Sequence, residues 1–370
     1  MSASFAGAYR GRRVLVTGHT GFKGSWLAHW LLRLGAEVGG IALAPATSPN
    51  LFDLLSLSGR LRHRLIDIRE GAALTAALAD FKPEVVFHLA AQPLVRAAYR
   101  DPKTTFDTNV GGTVNLLEAL RTVGGVRACV VVTTDKCYEN REWPWGYREC
   151  DPLGGHDPYS ASKAACEIAV ASWRRSFFAD GGPWLASARA GNVIGGGDWS
   201  TERIATDVIA ACATNGAVHL RNPGATRPWQ HVLEPLAAYL HLGARLLGAD
   251  AARYAEAWNI APDDDDVVSV ERLSRLMVTA WGAGRVEADP ATGHPHEAGL
   301  LKLDGSKTRS QLGWHGAWNV AEAVARTVAW HRAHLAGDDC RPITDAQIDA
   351  YVEAARTCGL AWAGNATDSR

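Results

Sequence analysis

The chain of 370 residues has almost no net charge: 38 lysines and arginines meet 39 acids, leaving −1 at neutral pH. Without an excess of cations it offers no electrostatic footprint for nucleic acid or for an anionic membrane surface. Long apolar runs are missing as well, and none approaches the roughly 18 residues of a spanning helix. The seven cysteines, at 129, 137, 150, 166, 212, 340 and 358, are odd in number and never form C-x-x-C. That excludes a disulfide framework and a thiolate zinc site, and it favours reduced thiols in a cytoplasm. His294-Pro295-His296-Glu297 lacks the H-E-x-x-H order of a zinc protease. The acid run Asp263 to Asp266 is too unlike an EF-hand loop to hold calcium and reads as a solvated turn. No metal is expected. Arg10, Arg12 and Arg13 have no apolar stretch behind them, so the start reads as a loose tail and not as a secretory leader.

What is present begins at residue 13. Val14, Leu15 and Val16 form an apolar, β-branched run suited to a strand buried on both faces. Gly18, Gly21 and Gly24 follow at G-x-x-G-x-x-G spacing, and Trp26, Leu27, Trp30, Leu31 and Leu34 recur at helical period. Strand, glycine turn and helix in that order are what a dinucleotide pyrophosphate needs. The helix start offers unpaired N–H groups, and glycine lets the backbone come close. The turn formed by Gly18, Thr20, Gly21, Phe22 and Gly24 is therefore the candidate cofactor site. The alternative is a tight βα turn without a ligand.

Strands are expected again at Val38 to Leu43, Leu65 to Ile68, Pro83 to Ala91, Cys129 to Thr133 and Leu185 to Arg189. The helical patterns between them make this an α/β protein, a doubly wound parallel sheet of Rossmann type. Counting 20 positions from Gly24 reaches Ala44, so the acid that often binds the adenosine ribose is missing. No arginine stands there to hold a 2′-phosphate either, and NAD is the expected cofactor. Asp67, with Ile68, ends a strand where it either accepts from the adenine amino group or simply caps a helix. Leu89, Ala90 and Ala91 are small enough to let the cofactor approach, and Asn109 opens the next helix. Thr133, Thr134, Asp135 and Lys136 close the fifth strand, at the sheet end where ligands lie. Tyr159 and Lys163 share one helix face. A lysine cation and a positive nicotinamide beside the phenol would lower its pKa toward neutrality, making it a base for an alcohol proton.

Past residue 191 the strand–helix alternation stops. The expected layout is a dinucleotide-binding domain over 11–191, completed by 228–262, with a smaller substrate domain over 192–227 and 263–340. Residues 1–10 and 341–370 are expected to be tails. Leu220 to Pro223 and Thr226 to His231 mix cations with aromatics, which suits a nucleoside diphosphate or else a solvated loop.

Six strings carry a resemblance. They are Val-Thr-Gly-His-Thr-Gly-Phe-Lys-Gly-Ser-Trp (16–26), His-Leu-Ala-Ala-Gln-Pro-Leu-Val-Arg (88–96), Asp-Lys-Cys-Tyr-Glu-Asn-Arg-Glu-Trp (135–143), Arg-Ala-Gly-Asn-Val-Ile-Gly-Gly-Gly-Asp-Trp (189–199), Arg-Pro-Trp-Gln-His-Val-Leu-Glu-Pro (227–235) and His-Pro-His-Glu-Ala (294–298). Over residues 11 to 335 the chain resembles the extended short-chain dehydrogenase/reductase superfamily of nucleotide-sugar enzymes, most closely its CDP-glucose-dehydrating branch. The resemblance implies NAD as cofactor and CDP-glucose as substrate. It also implies a homodimer or homotetramer built on helices 111–121 and 159–178, with no nucleic-acid or membrane partner. It implies substrate contacts from Gln92, Arg96, Asn192, Arg221, Arg227, His231 and His296. Thr134 would orient the C4 hydroxyl and Tyr159, with Lys163, would take its proton. Asp135 would act as acid at the C6 oxygen and Lys136 as base at C5. Two departures stand out. The family commonly has an acid where Ala44 stands, and a His-Tyr pair where this chain has Gly299-Leu300. A nucleotide-sugar 4-epimerase, or a cofactor-sensing regulator on the same fold, are the alternatives.

Overall fold

The apolar runs pair into one parallel sheet. The computed structural model describes residues 4–288 and 299–364. Its strands are β1 (Arg13–Thr17), β2 (Glu37–Ala42), β3 (Arg62–Leu65), β4 (Val85–His88), β5 (Ala128–Val132), β6 (Trp184–Ala190) and a seventh at Ala257–Ile260. Their spatial order is 3-2-1-4-5-6 followed by the Ala257–Ile260 strand. Every neighbouring pair is parallel. The order reverses between β1 and β4, and that reversal opens a crevice at the carboxyl ends of the strands.

Alternation along each strand assigns its side chains to two layers. Leu15, Ile41 and Val86 face Leu74, Leu78, Leu116 and Leu120 of the helices Gly71–Phe81 and Gly112–Val123. Val14, Val16, Phe87 and Val130 face the other way, onto Trp26 and Trp30 of α1 (Phe22–Arg33) and Leu236 and Tyr239 of the helix Leu233–Leu246. A strand such as β5, buried at all five positions, has no polar face to show. That is why it reads as a continuous apolar run.

Beyond β6 the chain builds three short ribbons. Gln230–His231 pairs with Val193–Ile194, Val267–Ser269 with Thr226–Pro228, and Arg285–Ala288 with Ala217–Leu220. They surround a second core of Val208, Val218, Leu273, Met277 and Val324. Asp266, expected in a solvated turn, is buried and accepts from the Val320 N–H at 2.7 Å. All seven cysteines are free. No helix among the described residues is long and apolar enough to cross a membrane.

The ends depart from the expected tails. An 18-residue helix, Cys340–Thr357, buries Ile348, Tyr351 and Val352 in the main core. Phe5 stacks on Trp362 with centroids 4.9 Å apart, and the Tyr9 hydroxyl donates to the Leu240 carbonyl at 2.5 Å. Each buried aromatic contributes about 1.5–3 kcal/mol. Both ends are therefore held in the fold by rings whose partners lie far away in sequence.

Candidate active site

Three glycines form the turn after β1, and two of them cannot be replaced without a clash. A Cβ on Gly18, whose φ is +75°, would lie 2.8 Å from the Ala90 nitrogen. One on Gly24 would lie 2.0 Å from the Gly18 carbonyl oxygen. α1 starts at an N-cap, Gly21, that has no side chain, and its first turn carries no acid. The N–H groups at its start are thus left for an external acceptor. Phe22, the first residue of α1, is half-buried. Thr20 Oγ1 donates to the Leu43 carbonyl at 2.8 Å and ties the turn to the end of β2. Thr17 Oγ1 accepts from the Leu89 and Ala90 N–H groups at 3.2 Å each, drawing the half-buried loop Leu89, Ala90 and Ala91 up to the turn. Behind it His88 bridges Thr17 at 2.7 Å and Thr113 at 3.2 Å, and burial pushes its pKa down to about 3. The glycine cradle and the uncapped helix start fit a dinucleotide pyrophosphate.

Around this cradle, several expected contact residues hold the fold together with the very groups that would bind. Asp67 is taken by Arg69, which donates to it at 2.6 and 2.9 Å and lowers its pKa. Ile68 beside it is buried. Asn109 accepts from the Gln92 N–H at 2.8 Å and donates to Ser162 Oγ at 2.9 Å, linking that loop to the helix Pro158–Ser176. The Gln92 amide is itself used on Leu94 and Thr105.

At the end of β5 the candidate catalytic residues come together. Asp157 caps the helix Pro158–Ser176, accepting from the Ser160 N–H at 3.0 Å, and so fixes where Tyr159 and Lys163 enter the crevice. Tyr159, Thr134, Asp135 and Lys163 are all buried. Thr134 Oγ1 donates to Asp135 Oδ1 at 3.0 Å and accepts from the Lys136 N–H at 3.3 Å. Asp135 Oδ2 is buried without a hydrogen-bond partner. Burial raises the Asp135 pKa, and Lys136, Thr134, Arg227 and Lys23 only partly oppose it. A carboxyl in this setting keeps its proton more readily than usual and can donate it.

Tyr159 is subject to competing effects. Burial raises its pKa, the Thr134 hydroxyl and Arg203 lower it, and Asp135 raises it further. Lys163 donates to the Val132 carbonyl at 3.3 Å, and burial depresses its own pKa. The protein alone therefore does not bring the phenol toward neutrality. The expected lowering toward neutrality would draw on the positive charge of a bound nicotinamide as well as on Lys163.

Two cations escaped the sequence reading. Lys23 sits with its Nζ 5.8 Å over the Tyr239 ring, and its pKa falls to about 8. Burial is the main cause, Arg203 and Lys163 add to it, and Asp135 opposes. Arg203 pairs with Asp198 at 2.8 Å. Lys23 lies in the glycine string and Arg203 shortly after Gly-Asp-Trp, but only tertiary packing joins them to the Thr134–Tyr159 group. Among the expected substrate residues, Arg227 is buried beside Asp135 and donates to the Thr226 and Gly299 carbonyls at 2.7 and 3.2 Å. Arg96 and the exposed Arg221 both act on Asp207. Asn192, half-buried after β6, accepts from the Gln230 N–H at 3.1 Å through its carbonyl. His231 is a correction. It is fully buried between Trp26 and Trp318, at centroid distances of 6.1 and 5.0 Å, with a pKa depressed to about 3. It is a core histidine, closed off from solvent by these rings. His296 lies outside the described residues. No group of three metal-ligating side chains occurs among the described residues.

The seven-stranded doubly wound sheet brings a Thr–Asp–Lys strand end and a Tyr-x-x-x-Lys helix to the crevice beside the glycine turn, the arrangement of a dinucleotide-binding enzyme fold. Residues 15–327 match the family model described as GDP-mannose 4,6 dehydratase, and the chain belongs to that family. It is 48% identical, over 94% of its length and 98% of the relative's, to a CDP-glucose 4,6-dehydratase of Salmonella typhimurium. It is 30% identical, over 86% of its length and 98% of the relative's, to a UDP-glucose 4-epimerase of Mycolicibacterium smegmatis. A solved UDP-glucose 4-epimerase from Thermus thermophilus, in complex with NAD, superposes with a TM-score of 0.73 at 25% identity, covering 86% of this chain and 99% of that one.

Proposed function

We propose that the chain is an NAD-dependent hydro-lyase that converts CDP-glucose to CDP-4-keto-6-deoxyglucose and water. The observation that carries the dehydratase reading over the epimerase reading is the buried, unpartnered Oδ2 of Asp135 next to Thr134. An epimerase needs an oxidising site, whereas a dehydratase also needs a proton donor for the departing hydroxyl. The 48% identity to a CDP-glucose 4,6-dehydratase supports the same choice and the choice of nucleotide.

Bound NAD supplies an acceptor for the C4 hydrogen, which is later returned at C6. The residues do the rest. Thr134 holds the C4 hydroxyl, and Tyr159, as phenolate, removes its proton while the C4 ketone forms. That ketone acidifies C5. Lys136, with its amine neutral, takes the C5 proton, and Asp135 gives its own proton to the C6 oxygen, so water leaves and a C5–C6 double bond remains. As C6 is reduced, Lys136 returns its proton to C5, and the proton that Tyr159 took from the C4 hydroxyl passes by way of Thr134 to Asp135, replacing the one that left with water. Arg227, with Arg96 and Arg221, forms the cationic side for the diphosphate. The seven free cysteines support a cytoplasmic enzyme. Phe106, Ile168 and Phe177 stand exposed on and around the Pro158–Ser176 helix, which supports pairing of two copies there.

Incubating the protein with CDP-glucose and NAD tests this reading. The expected product is a CDP-sugar lighter by one water, with a 4-keto group absorbing in alkali. CDP-galactose as the product would instead establish the epimerase. Tyr159→Phe removes one hydroxyl from a packed helix and should lower turnover by about 10²–10⁴-fold without changing the melting temperature. Wild-type turnover in that variant would remove Tyr159 from the mechanism.

A further inference from the structure

We infer that the adenosine end of the cofactor site does not discriminate against a 2′-phosphate, so that the chain binds NADP about as tightly as NAD. The inference rests on the glycine turn being a dinucleotide site, and it concerns the end of that site remote from the chemistry. The Thr20–Leu43 hydrogen bond fixes the end of β2 beside the turn. A ribose reached from a pyrophosphate on α1 therefore rests against residues 43 onward. Leu43 and Ala44 are both exposed there, and Pro45, Ala46, Thr47, Ser48 and Pro49 carry no charge.

A carboxylate at this position acts twice in dinucleotide folds. It accepts from the ribose hydroxyls of NAD, and it repels the phosphate of NADP. Here neither effect is available from the strand end, and the nearby acids do not substitute. Asp53 is engaged by the Asn50 amide at 2.7 Å. Asp67 is locked to Arg69 at 2.6 Å.

The cations of this edge each face a counter-charge of their own, so none stands dedicated to a 2′-phosphate. Arg62 faces Glu37 at 3.4 Å and Arg64 pairs with Asp80 at 2.6 Å. His19 and His63 bond each other at 2.7 Å. Burial, with His63 adding, depresses the His19 pKa to about 4, so it brings no positive charge at neutral pH. A neutral methyl between committed charges leaves the two dinucleotides distinguished by little beyond the phosphate's own hydration.

The test is calorimetric titration of the purified full chain with NAD and, separately, with NADP, in the absence of sugar. The two dissociation constants should agree within about tenfold. Ala44→Asp, at an exposed position, should tighten NAD and weaken NADP, moving their ratio by about 10- to 100-fold, the range of one hydrogen bond to a charged acceptor. A wild-type ratio beyond tenfold in either direction would overturn the inference, as would a ratio that Ala44→Asp leaves unmoved. If neither dinucleotide bound, the cofactor reading itself would fall and this inference with it. If NAD alone bound, the cofactor reading would stand and the inference would not.

Discussion

Consecutive threonines at the end of β5 donate to two buried carboxylates in opposite circumstances. Thr133 donates to Glu167 at 2.5 Å and Thr134 to Asp135 at 3.0 Å. Glu167 also accepts from Arg189 at 2.8 Å and from Ser187 at 2.7 Å. Burial pushes its pKa up, but Arg189 and these hydrogen bonds outweigh it and hold the carboxyl below its ordinary value. Asp135 has one oxygen unpartnered and no directly bonded cation, and its pKa rises. The same functional group, equally buried, is a structural anion in one place and a stored proton in the other. The number and charge of its donors decide which.

The sharpest way to break the comparison is Asp135→Asn. It keeps shape and burial but removes the transferable proton. Product formation should fall at least about 10²-fold, while exchange of the C5 hydrogen with deuterated water continues through Lys136. Mass spectrometry of the CDP-sugar reads both, as retained water and gained deuterium. Product at the wild-type rate would show that Asp135 is not the acid.

Glu167→Gln should move the other observable. It leaves Arg189 charged and buried without its anion, at a cost of about 3–5 kcal/mol in a urea unfolding titration. The sign with pH is fixed by the lowered pKa. Wild type keeps the contribution above the unfolded carboxyl's pKa and loses it as pH falls through the folded one. The variant should therefore show a smaller loss of stability on acidification. A midpoint unchanged in urea would mean that Arg189 has found another partner.

This contrast also separates what was legible in the sequence from what was not. The glycine turn, the buried strands and the Tyr159–Lys163 pair rest on local signals, a glycine every third residue, short continuous apolar runs and a four-residue helical spacing, and the fold follows them. His231 was misplaced because a histidine among arginine and tryptophan looks alike on a ligand and in a core. The two ends were read as tails because Phe5 gains its meaning from Trp30 and Trp362, and Tyr351 from Glu234 and Trp318, all distant in sequence. The fate of Tyr159 and the roles of Lys23 and Arg203 depend on fields across the crevice, which no spacing encodes. Asp135 was legible as a candidate acid from its place at a strand end. Its free oxygen was not, since that depends on what packs over it.

Glu234 offers a third carboxylate that sharpens the rule. It accepts from the Ala317 and Trp318 N–H groups at 2.9 and 2.7 Å and from the Tyr351 hydroxyl at 2.7 Å. It thus has as many donors as Glu167, but none is a cation. Burial raises its pKa to about 7 in spite of all three bonds. Between the ordinary value of 4.5 and about 7, the unfolded chain releases this proton while the folded chain keeps it. The stabilisation is therefore complete below pH 4.5 and is lost as pH rises toward 7, by about 3 kcal/mol over that window. Glu234→Gln keeps an acceptor for the two N–H groups and a polar partner for Tyr351, and it carries no titration. The melting temperature of wild type should rise relative to that of the variant from pH 7 to pH 5, leaving the variant relatively better at the higher pH. A difference that stays constant across that range would mean that neutral donors alone hold the Glu234 charge. Arg189 would then not be what separates Glu167 from Asp135.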